Sequence, residues 1–331
     1  MKIFLCLLLG WAFASLAFAE DESPPAKPSA RDFPFDRRIT AYEPSYAVLQ
    51  KAAGDEGAAR VHYSFKYCLA KFSQDETNTC RNDHVSQEQS VFYFSYTGEF
   101  DFYAYTRPSG PVINRLNNPA FHLRIYKDSA YSDCIPFTAV FGCIHLPQVV
   151  DWADLALEHR SNGQVFEVTN PVISANAQAA YASNNHAFFD AISRGANYLS
   201  IEAKRKFKDE QPDKAGKSDD GNLSIYAKVK LYATQDSEVT WGPLAGKGIS
   251  IADYDRVKFL VSQSFADKSE AALTWTIGDK GLSTDSWEVD YLLNRDAPFP
   301  LYLKYHNGPM HTLSNYTQNQ HYFGVGIKFT P

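Results

Sequence analysis

The chain has 331 residues, a net charge of -6 and an isoelectric point near 5.9. This acidic balance provides no basic surface for a nucleic acid, so we exclude a nucleic-acid-binding protein. No segment after residue 19 reaches the roughly 18 continuous apolar residues of a membrane-spanning helix, which excludes a helical membrane protein. Aromatic residues make up 15% of the chain, a bias that suits β-strands and the aromatic girdles of membrane barrels.

The first 19 residues are predicted to be a secretory signal peptide. Lys2 precedes an apolar stretch over residues 3–18, and small residues stand before the acidic pair Glu20-Asp21. That order predicts cleavage after Ala19. The alternative is a membrane anchor, but the stretch is short for a span and lacks a positively charged flank on its far side.

Four cysteines remain after the predicted cleavage, because Cys6 lies in the signal peptide. An even number in an exported protein predicts disulfides and an oxidising compartment such as the periplasm. The close spacings suggest that Cys68 pairs with Cys80 and that Cys134 pairs with Cys143. Four cysteines nevertheless allow three pairings, and spacing alone does not choose among them.

The mature chain is predicted to be all-β. Residues 20–37 are rich in Pro, Ser and charge and form a flexible periplasmic lead-in. Residues 38–331 contain alternating segments separated by turn-rich stretches and no amphipathic helix of useful length, which predicts about twelve strands. The predicted strands cover residues 39–48, 61–69, 91–105, 119–126, 149–161, 197–207, 223–231, 257–265, 271–277, 286–293, 298–306 and 320–329.

The strand over residues 149–161 favours a transmembrane antiparallel β-barrel over a soluble sandwich. One parity holds Val149, Ala153, Leu155 and Leu157, and the other holds Trp152, Asp154, Glu158 and Arg160. Only Asp151 interrupts the apolar parity. Apolar side chains outside and ionic side chains inside are typical of membrane barrels, although a sandwich alternates too. Residues 322–329 also resemble the aromatic-ended last strand of outer-membrane barrels, with Thr330 and Pro331 beyond it.

An even strand count places both termini in the periplasm. The connections over residues 107–118, 162–196 and 233–252 are then predicted to face outside the cell. The cysteine-bearing stretches lie on the periplasmic side.

His159 and Ser161 form a candidate catalytic pair near the end of the strand 149–161. Residues two apart in a strand point the same way, and both lie on the apolar, outward parity. An imidazole beside a hydroxyl is the minimum for a nucleophilic hydrolase. Asn197 opens the next strand at the same end, where its carbonyl oxygen could accept the histidine N–H. His-x-Ser is common and Asn162-Gly163 is often only a turn, but lipid-facing polar residues are costly and usually functional.

At these residues the sequence resembles the outer-membrane phospholipase A family. The family's His-x-Ser-Asn-Gly signature matches residues 159–163, and its Ser-Arg-x-x-Asn segment matches residues 193–197. The last hairpin, residues 305–326, also looks like the family's ending. The resemblance covers the mature barrel from about Arg38.

The resemblance implies an outer-membrane enzyme that hydrolyses acyl esters of glycerophospholipids and lysophospholipids. His159 would be the general base, Ser161 the nucleophile and Asn197 the residue that orients the histidine. The backbone amide of Gly163 would hold the oxyanion together with a calcium-bound water.

The resemblance also implies Ca²⁺ as cofactor and a homodimer as the active form. The calcium ligands would be the carbonyl of Gln164 and the hydroxyl of Ser193, with Ser109 supplied by the second subunit. A site made only of oxygen atoms suits this hard cation.

The sequence departs from the family's pattern at four places. Arg160 stands where many relatives have an acidic or amide residue, and Gln164 where arginine is common. The loop over residues 164–193 is longer than in the better-known members. No counterpart of the glutamine that helps the family dimerise is found near Thr97-Gly98. These departures bear on the calcium geometry and the dimer contact more than on the catalytic trio.

Two rival functions remain at the level of sequence. One is a non-catalytic porin-like or structural barrel, and the other is a soluble secreted esterase with a β-sandwich. His306, His311 and His321 cluster near the C-terminus, and we predict solvated outer-loop histidines rather than metal ligands.

Overall fold

The structure is a computed structural model, and it describes ten segments of the chain. These are residues 39–52, 57–72, 90–103, 113–126, 149–164, 171–183, 192–207, 223–233, 250–313 and 316–330. The strands are β1 Ile39–Ala41, β2 Ser45–Ala52, β3 Gly57–Phe72, β4 Ser90–Phe102, β5 Ile113–Tyr126, β6 Trp152–Ser161, β7 Gly195–Phe207, β8 Leu223–Tyr232, β9 Val257–Ser264, β10 Glu270–Gly278, β11 Gly281–Leu293, β12 Leu301–Gly308 and β13 Gln320–Phe329. One α-helix, α1 Pro171–Ala182, and a short 3-10 helix, Ile251–Asp253, complete the described elements.

The strands close into a twelve-stranded antiparallel barrel. Each strand from β2 to β13 pairs with its sequence neighbour, and β13 returns to pair with β2, as Val325 opposite Leu49 shows. β1 and β2 both pair with β3 and are separated at Pro44, which has no N–H to donate to the ladder. Closure gives every strand from β2 to β13 two partners, as the membrane interior requires. The predicted all-β barrel of about twelve strands is confirmed, and the sandwich is excluded.

The barrel wall has an apolar outer face and a polar inner face. On β6, Leu157 is 61% exposed while its neighbour Glu158 is 3% exposed. Inside the barrel, Lys228 bonds to Glu158 at 2.6 Å and to Glu202 at 2.8 Å. Buried ions are stable only when they are paired in this way. The predicted parity of the strand over residues 149–161 is confirmed.

A second packed layer lies over the end of the barrel at which β6 reaches Ser161, hereafter the Ser161 end. Its apolar cluster is formed by the connections that follow β8 and β12. The buried members are Ile251, Met310, Leu313 and Tyr316, and Leu116, Ala196, Tyr232 and Tyr254 pack against them. The cluster therefore links these connections to the strand ends around the candidate catalytic pair.

Two sequence expectations are wrong. Helix α1 lies in the connection between β6 and β7, where no helix is predicted, because its Ser, Asn, Gln and Ala residues show no apolar stripe. His306 and His311 are only 5% and 7% exposed rather than solvated. The Arg60 guanidinium donates a hydrogen bond to His311 Nε2 at 2.9 Å. His321 is exposed, but it lies in β13 rather than in a loop. No described helix is long and apolar enough to cross a membrane.

Several predictions fall outside the described residues. These include the signal peptide, the whole lead-in, Ser109 and three of the mature cysteines. Cys68 lies in β3. Its pairing lies outside the described segments, so the predicted connectivity stays a prediction.

A buried ion pair at the Ser161 end should contribute strongly to stability. Asp255 accepts bonds from Lys230 at 2.6 Å and from Arg160 at 2.9 Å. Burial raises the pKa of the Asp255 carboxyl, but the two cations outweigh that effect and lower it to about 2. Asp255→Asn should lower the free energy of unfolding by about 3 kcal/mol, because it leaves two cations without their counter-ion. Urea titration of the folded barrel in detergent measures the loss.

Asp279→Asn is the matched control for this prediction. Asp279 bonds Arg256 at 2.6 Å, but its side chain is largely exposed. Exposed pairs contribute less than about 1 kcal/mol, so this variant should unfold close to wild type. Equal losses in the two variants would contradict the assignment.

Candidate active site

Three adjacent strands place the predicted catalytic residues on one outward patch. His159 on β6 lies directly opposite Asn197 on β7, and Ser161 lies opposite Gly195 on β7 and Asn117 on β5. Residues that face each other across antiparallel strands project from the same side of the sheet. The patch continues the outer row that holds Leu157 and Leu199, both of which are exposed.

His159 and Asn197 are joined by a hydrogen bond. His159 Nδ1 lies 2.8 Å from Asn197 Oδ1, on the exposed outer surface. A carbonyl oxygen can only accept, so the ring proton is on Nδ1 and the lone pair is on Nε2. This tautomer is the one that can remove a proton from a neighbouring hydroxyl.

Gly195 borders both His159 and Ser161. A Cβ atom on Gly195 would stand 3.4 Å from Ser161 Cβ and 3.7 Å from His159 Cε1. An alanine methyl therefore fits in ordinary contact, whereas a longer side chain would enter the space beside the two groups. The structure thus brings His159, Ser161 and Asn197 together around one glycine.

Asn162 holds the chain before β7 against the end of β6. Its side chain is 0% exposed, donates from Nδ2 to the Ile192 carbonyl at 2.7 Å and accepts at Oδ1 from the Arg194 amide at 2.8 Å. Its backbone N–H also donates to the Arg194 carbonyl at 3.0 Å. At the sequence level this residue suggests only a turn. In the structure it sets where residues 192–194 lie.

The residue after Asn162 needs to be glycine. Gly163 has a φ of +56°, in the left-handed region that residues with a Cβ rarely adopt. The backbone can therefore turn sharply just beyond Ser161 and present the Gly163 amide near the end of β6. The motif His159 to Gly163 is thus a strand end followed by a glycine turn.

Two of the three predicted calcium ligands are described. Gln164 follows Gly163 at the start of the β6–β7 connection, and Ser193 lies at its end, between the two residues that bond to Asn162. Both therefore lie at the Ser161 end of the barrel. Both are partly exposed. The described segments contain no group of three or more His, Cys, Asp or Glu side chains able to hold a metal. A hydroxyl and a backbone carbonyl are nevertheless oxygen donors of the kind that Ca²⁺ accepts, and further oxygens would have to complete its shell.

The inner face beneath the patch is a buried polar network. Glu158 accepts hydrogen bonds from Ser200 at 2.5 Å and from Tyr198 at 2.9 Å, as well as the ion pair with Lys228. Arg160, which departs from the family's pattern, points inward to Asp255. These contacts connect β6 to β7 and β8 and so fix the strands that carry the candidate catalytic side chains.

Two residues of the patch are missing from the sequence-based site. Asn117 lies opposite Ser161, and Tyr96 on β4 donates from its hydroxyl to Asn117 Oδ1 at 2.7 Å. The predicted strand begins at Pro119, so Asn117 falls in the predicted connection 107–118. A strand extended by two residues would have placed Asn117 on the outward parity, beside the motif.

Asn162→Ala should release residues 192–194 from the end of β6. Removing the side chain leaves the Ile192 carbonyl and the Arg194 amide without their buried partners, which costs about 1–3 kcal/mol. We expect amide hydrogen exchange in a peptide covering residues 192–197 to become about 10-fold faster or more. Asn118→Ala is the control, because Asn118 bonds to Glu158 inside the barrel. Unchanged exchange in Asn162→Ala would show that other contacts hold this segment.

Comparison with known proteins agrees with the architecture. No protein-family model and no curated protein matches the chain. The solved structure of outer membrane phospholipase A from Escherichia coli superposes with a TM-score of 0.54 at 13% identity, covering 88% of this chain and 94% of that chain. The Salmonella typhi outer membrane phospholipase dimer with bound calcium gives a TM-score of 0.55 at 13% identity, covering 88% and 92%. The chain therefore has a barrel fold similar to that of the outer membrane phospholipase A structures.

Proposed function

We propose that this chain is a calcium-dependent outer-membrane phospholipase, with A1, A2 and lysophospholipase activity. The observation that carries the proposal is the His159–Asn197 hydrogen bond on the outward wall, beside Ser161. Polar side chains are costly on a lipid-facing surface and usually have a function there. The similarity in fold to the phospholipase structures supports the same assignment.

The chemistry would proceed by acyl transfer. Ser161 Oγ attacks the ester carbonyl carbon while His159 Nε2 takes the hydroxyl proton, and the carbonyl electron pair moves to oxygen. Asn197 accepts from the Nδ1 proton throughout and so keeps Nε2 directed at the reacting groups. When the C–O bond to glycerol breaks, the leaving oxygen takes the proton from His159. A water molecule then attacks the acyl-serine with His159 as base, which releases the fatty acid and restores Ser161.

The surroundings of the trio suit a lipid substrate. Leu157 and Leu199 lie next to it on the same outer face and are open to acyl chains. Asn197 is neutral, so the patch carries no fixed negative charge into lipid, where an unpaired carboxylate would be costly. We assign the site to the outer leaflet of the outer membrane.

A calcium ion at Gln164 and Ser193 would supply a positive charge and a polarised water for the oxyanion. The hydroxyl of Ser109 from a second copy would complete the protein's share of the ligands, so the active form would be a homodimer. The calcium-bound dimer of the Salmonella typhi protein motivates this part of the proposal.

The porin-like alternative fits the interior less well. Described inward side chains such as Asp101, Glu158 and Glu202 are almost fully buried, and each is paired with a cation. A water-filled channel would leave such groups solvated. The polar interior therefore supports a filled barrel that carries a site on its wall.

Replacement of Ser161 tests the catalytic assignment. Ser161→Ala should reduce kcat for phosphatidylcholine in detergent micelles by at least about 1,000-fold, because no other group can form the acyl-enzyme. Ser283→Ala is the control, since Ser283 is an exposed serine on β11. If Ser161→Ala retains wild-type hydrolysis, the trio is not the catalytic site.

Replacement of Ser193 tests the metal site separately. Hydrolysis should stop when calcium is chelated and resume when it is restored. Ser193→Ala should raise the calcium concentration needed for half-maximal activity, because one oxygen ligand is lost. Calcium titrations of both proteins measure the shift. An unchanged calcium requirement in Ser193→Ala would remove Ser193 from the metal site and leave the trio standing.

A further inference from the structure

We infer that Asn117 is a further catalytic residue, whose side-chain amide donates a hydrogen bond to the oxyanion of the reacting ester. The inference rests on the proposed function. It adds a second hydrogen-bond donor from the chain itself, besides the Gly163 amide. It concerns a residue on β5, the strand on the other side of β6 from Asn197.

The position of Asn117 is the first support. It lies directly opposite Ser161 in the β5–β6 ladder, so its side chain leaves the same outward face as the nucleophile. A Cβ atom on Gly163 would stand 3.3 Å from Asn117 Nδ2. The amide nitrogen is therefore next to the glycine whose N–H is assigned to the oxyanion.

The orientation of the amide is the second support. The Tyr96 hydroxyl donates to Asn117 Oδ1 at 2.7 Å. An asparagine amide offers one oxygen acceptor and two N–H donors. With the oxygen engaged by Tyr96, the amide is turned so that Nδ2 faces the Gly163 side. Tyr96 acts through Asn117 and is a positioning residue.

Tyr96 is itself held by a packed aromatic group. Its ring stacks on Tyr63 at a centroid distance of 6.1 Å and on Phe65 at 5.8 Å. Tyr63 in turn covers Gly98, where an added Cβ would stand 2.3 Å from the Tyr63 ring. Glycine at residue 98 lets the ring lie in this position, and a larger residue would displace it. The donor at Asn117 is thus fixed before substrate binds, which is what makes an oxyanion donor effective.

Asn117 would act while the carbonyl oxygen carries the negative charge. As the bond from Ser161 Oγ to the carbonyl carbon forms, the carbonyl π electrons become a lone pair on oxygen, and the N–H groups of Asn117 and Gly163 both bond to it. When the C–O bond to glycerol breaks, that pair re-forms the carbonyl. Asn117 neither gains nor loses a proton. A neutral donor also suits a lipid-facing site, where a cation would cost more.

The test compares Asn117→Ala, Asn117→Asp and Tyr96→Phe in the full-length barrel with calcium, on phosphatidylcholine in detergent micelles. Asn117→Ala should lower kcat about 100-fold and change KM little, as expected for loss of one oxyanion donor. Asn117→Asp keeps an acceptor for Tyr96 but has no N–H, so it should lose at least as much. Tyr96→Phe keeps the donor and frees its orientation, so its loss should be smaller.

Asn307→Ala is the matched control. Asn307 is a partly buried asparagine on the outward parity of β12, at the Ser161 end but across the barrel from β6. This variant should keep wild-type kcat and KM.

The outcomes separate the two roles of Asn117. Wild-type kcat in Asn117→Asp would mean that the residue only anchors Tyr96 and would overturn the inference. This holds even if heat-modifiable migration shows that Asn117→Ala does not fold. Loss of kcat in Asn117→Asp with retained folding supports it. Absence of hydrolysis in the wild-type protein, by contrast, would contradict the proposed function and, with it, the inference.

Discussion

Each strand of this barrel must present alternate side chains to an apolar outside and a polar inside, and the rest of the structure depends on that constraint. A shift of one residue between β6 and β7 would exchange the two faces and bury leucines among ion pairs. The interior contacts prevent such a shift, because Lys228 bonds acidic groups on both of these strands. The same register that satisfies the interior places His159 opposite Asn197 on the outside.

The outward patch obeys the constraint by using neutral groups. Histidine, serine and asparagine side chains can bond to one another without a fixed charge, and so can Asn117 and Tyr96 on the neighbouring strands. Charged residues near the patch, such as Arg160, point inward and are paired. The inner and outer faces of the wall therefore have different roles. Ion pairs inside the wall provide rigidity, and neutral hydrogen bonds outside provide the candidate chemistry in a low-dielectric setting.

The strand pattern could be predicted from sequence because a period of two repeats over many residues. All twelve predicted strands are present, and the parity of Leu157 and Glu158 follows from alternation alone. Strand ends are harder to place, because they depend on tertiary partners. Asn117 lies outside the predicted strand for this reason. Pro119 is typical of a strand start, although β5 continues through it.

Features that depend on contacts distant in sequence could not be predicted. Asn162 reads as half of an Asn-Gly turn, and its three bonds to residues about thirty positions away are invisible until the chain folds. The histidines His306 and His311 carry no pattern that separates a solvated loop from a buried network. Helix α1 lacks an apolar stripe, so no periodic signal marks it.

In the proposed mechanism a nucleophile, a base and an orienting amide act together on the outward wall. Labelling with a fluorophosphonate, followed by mass spectrometry, tests it most directly, because the reagent reacts only with an activated serine. We expect one phosphonyl adduct, on Ser161, in the wild-type protein with calcium and almost none in His159→Ala. An adduct on another serine, or equal labelling of Ser161 without His159, would contradict it.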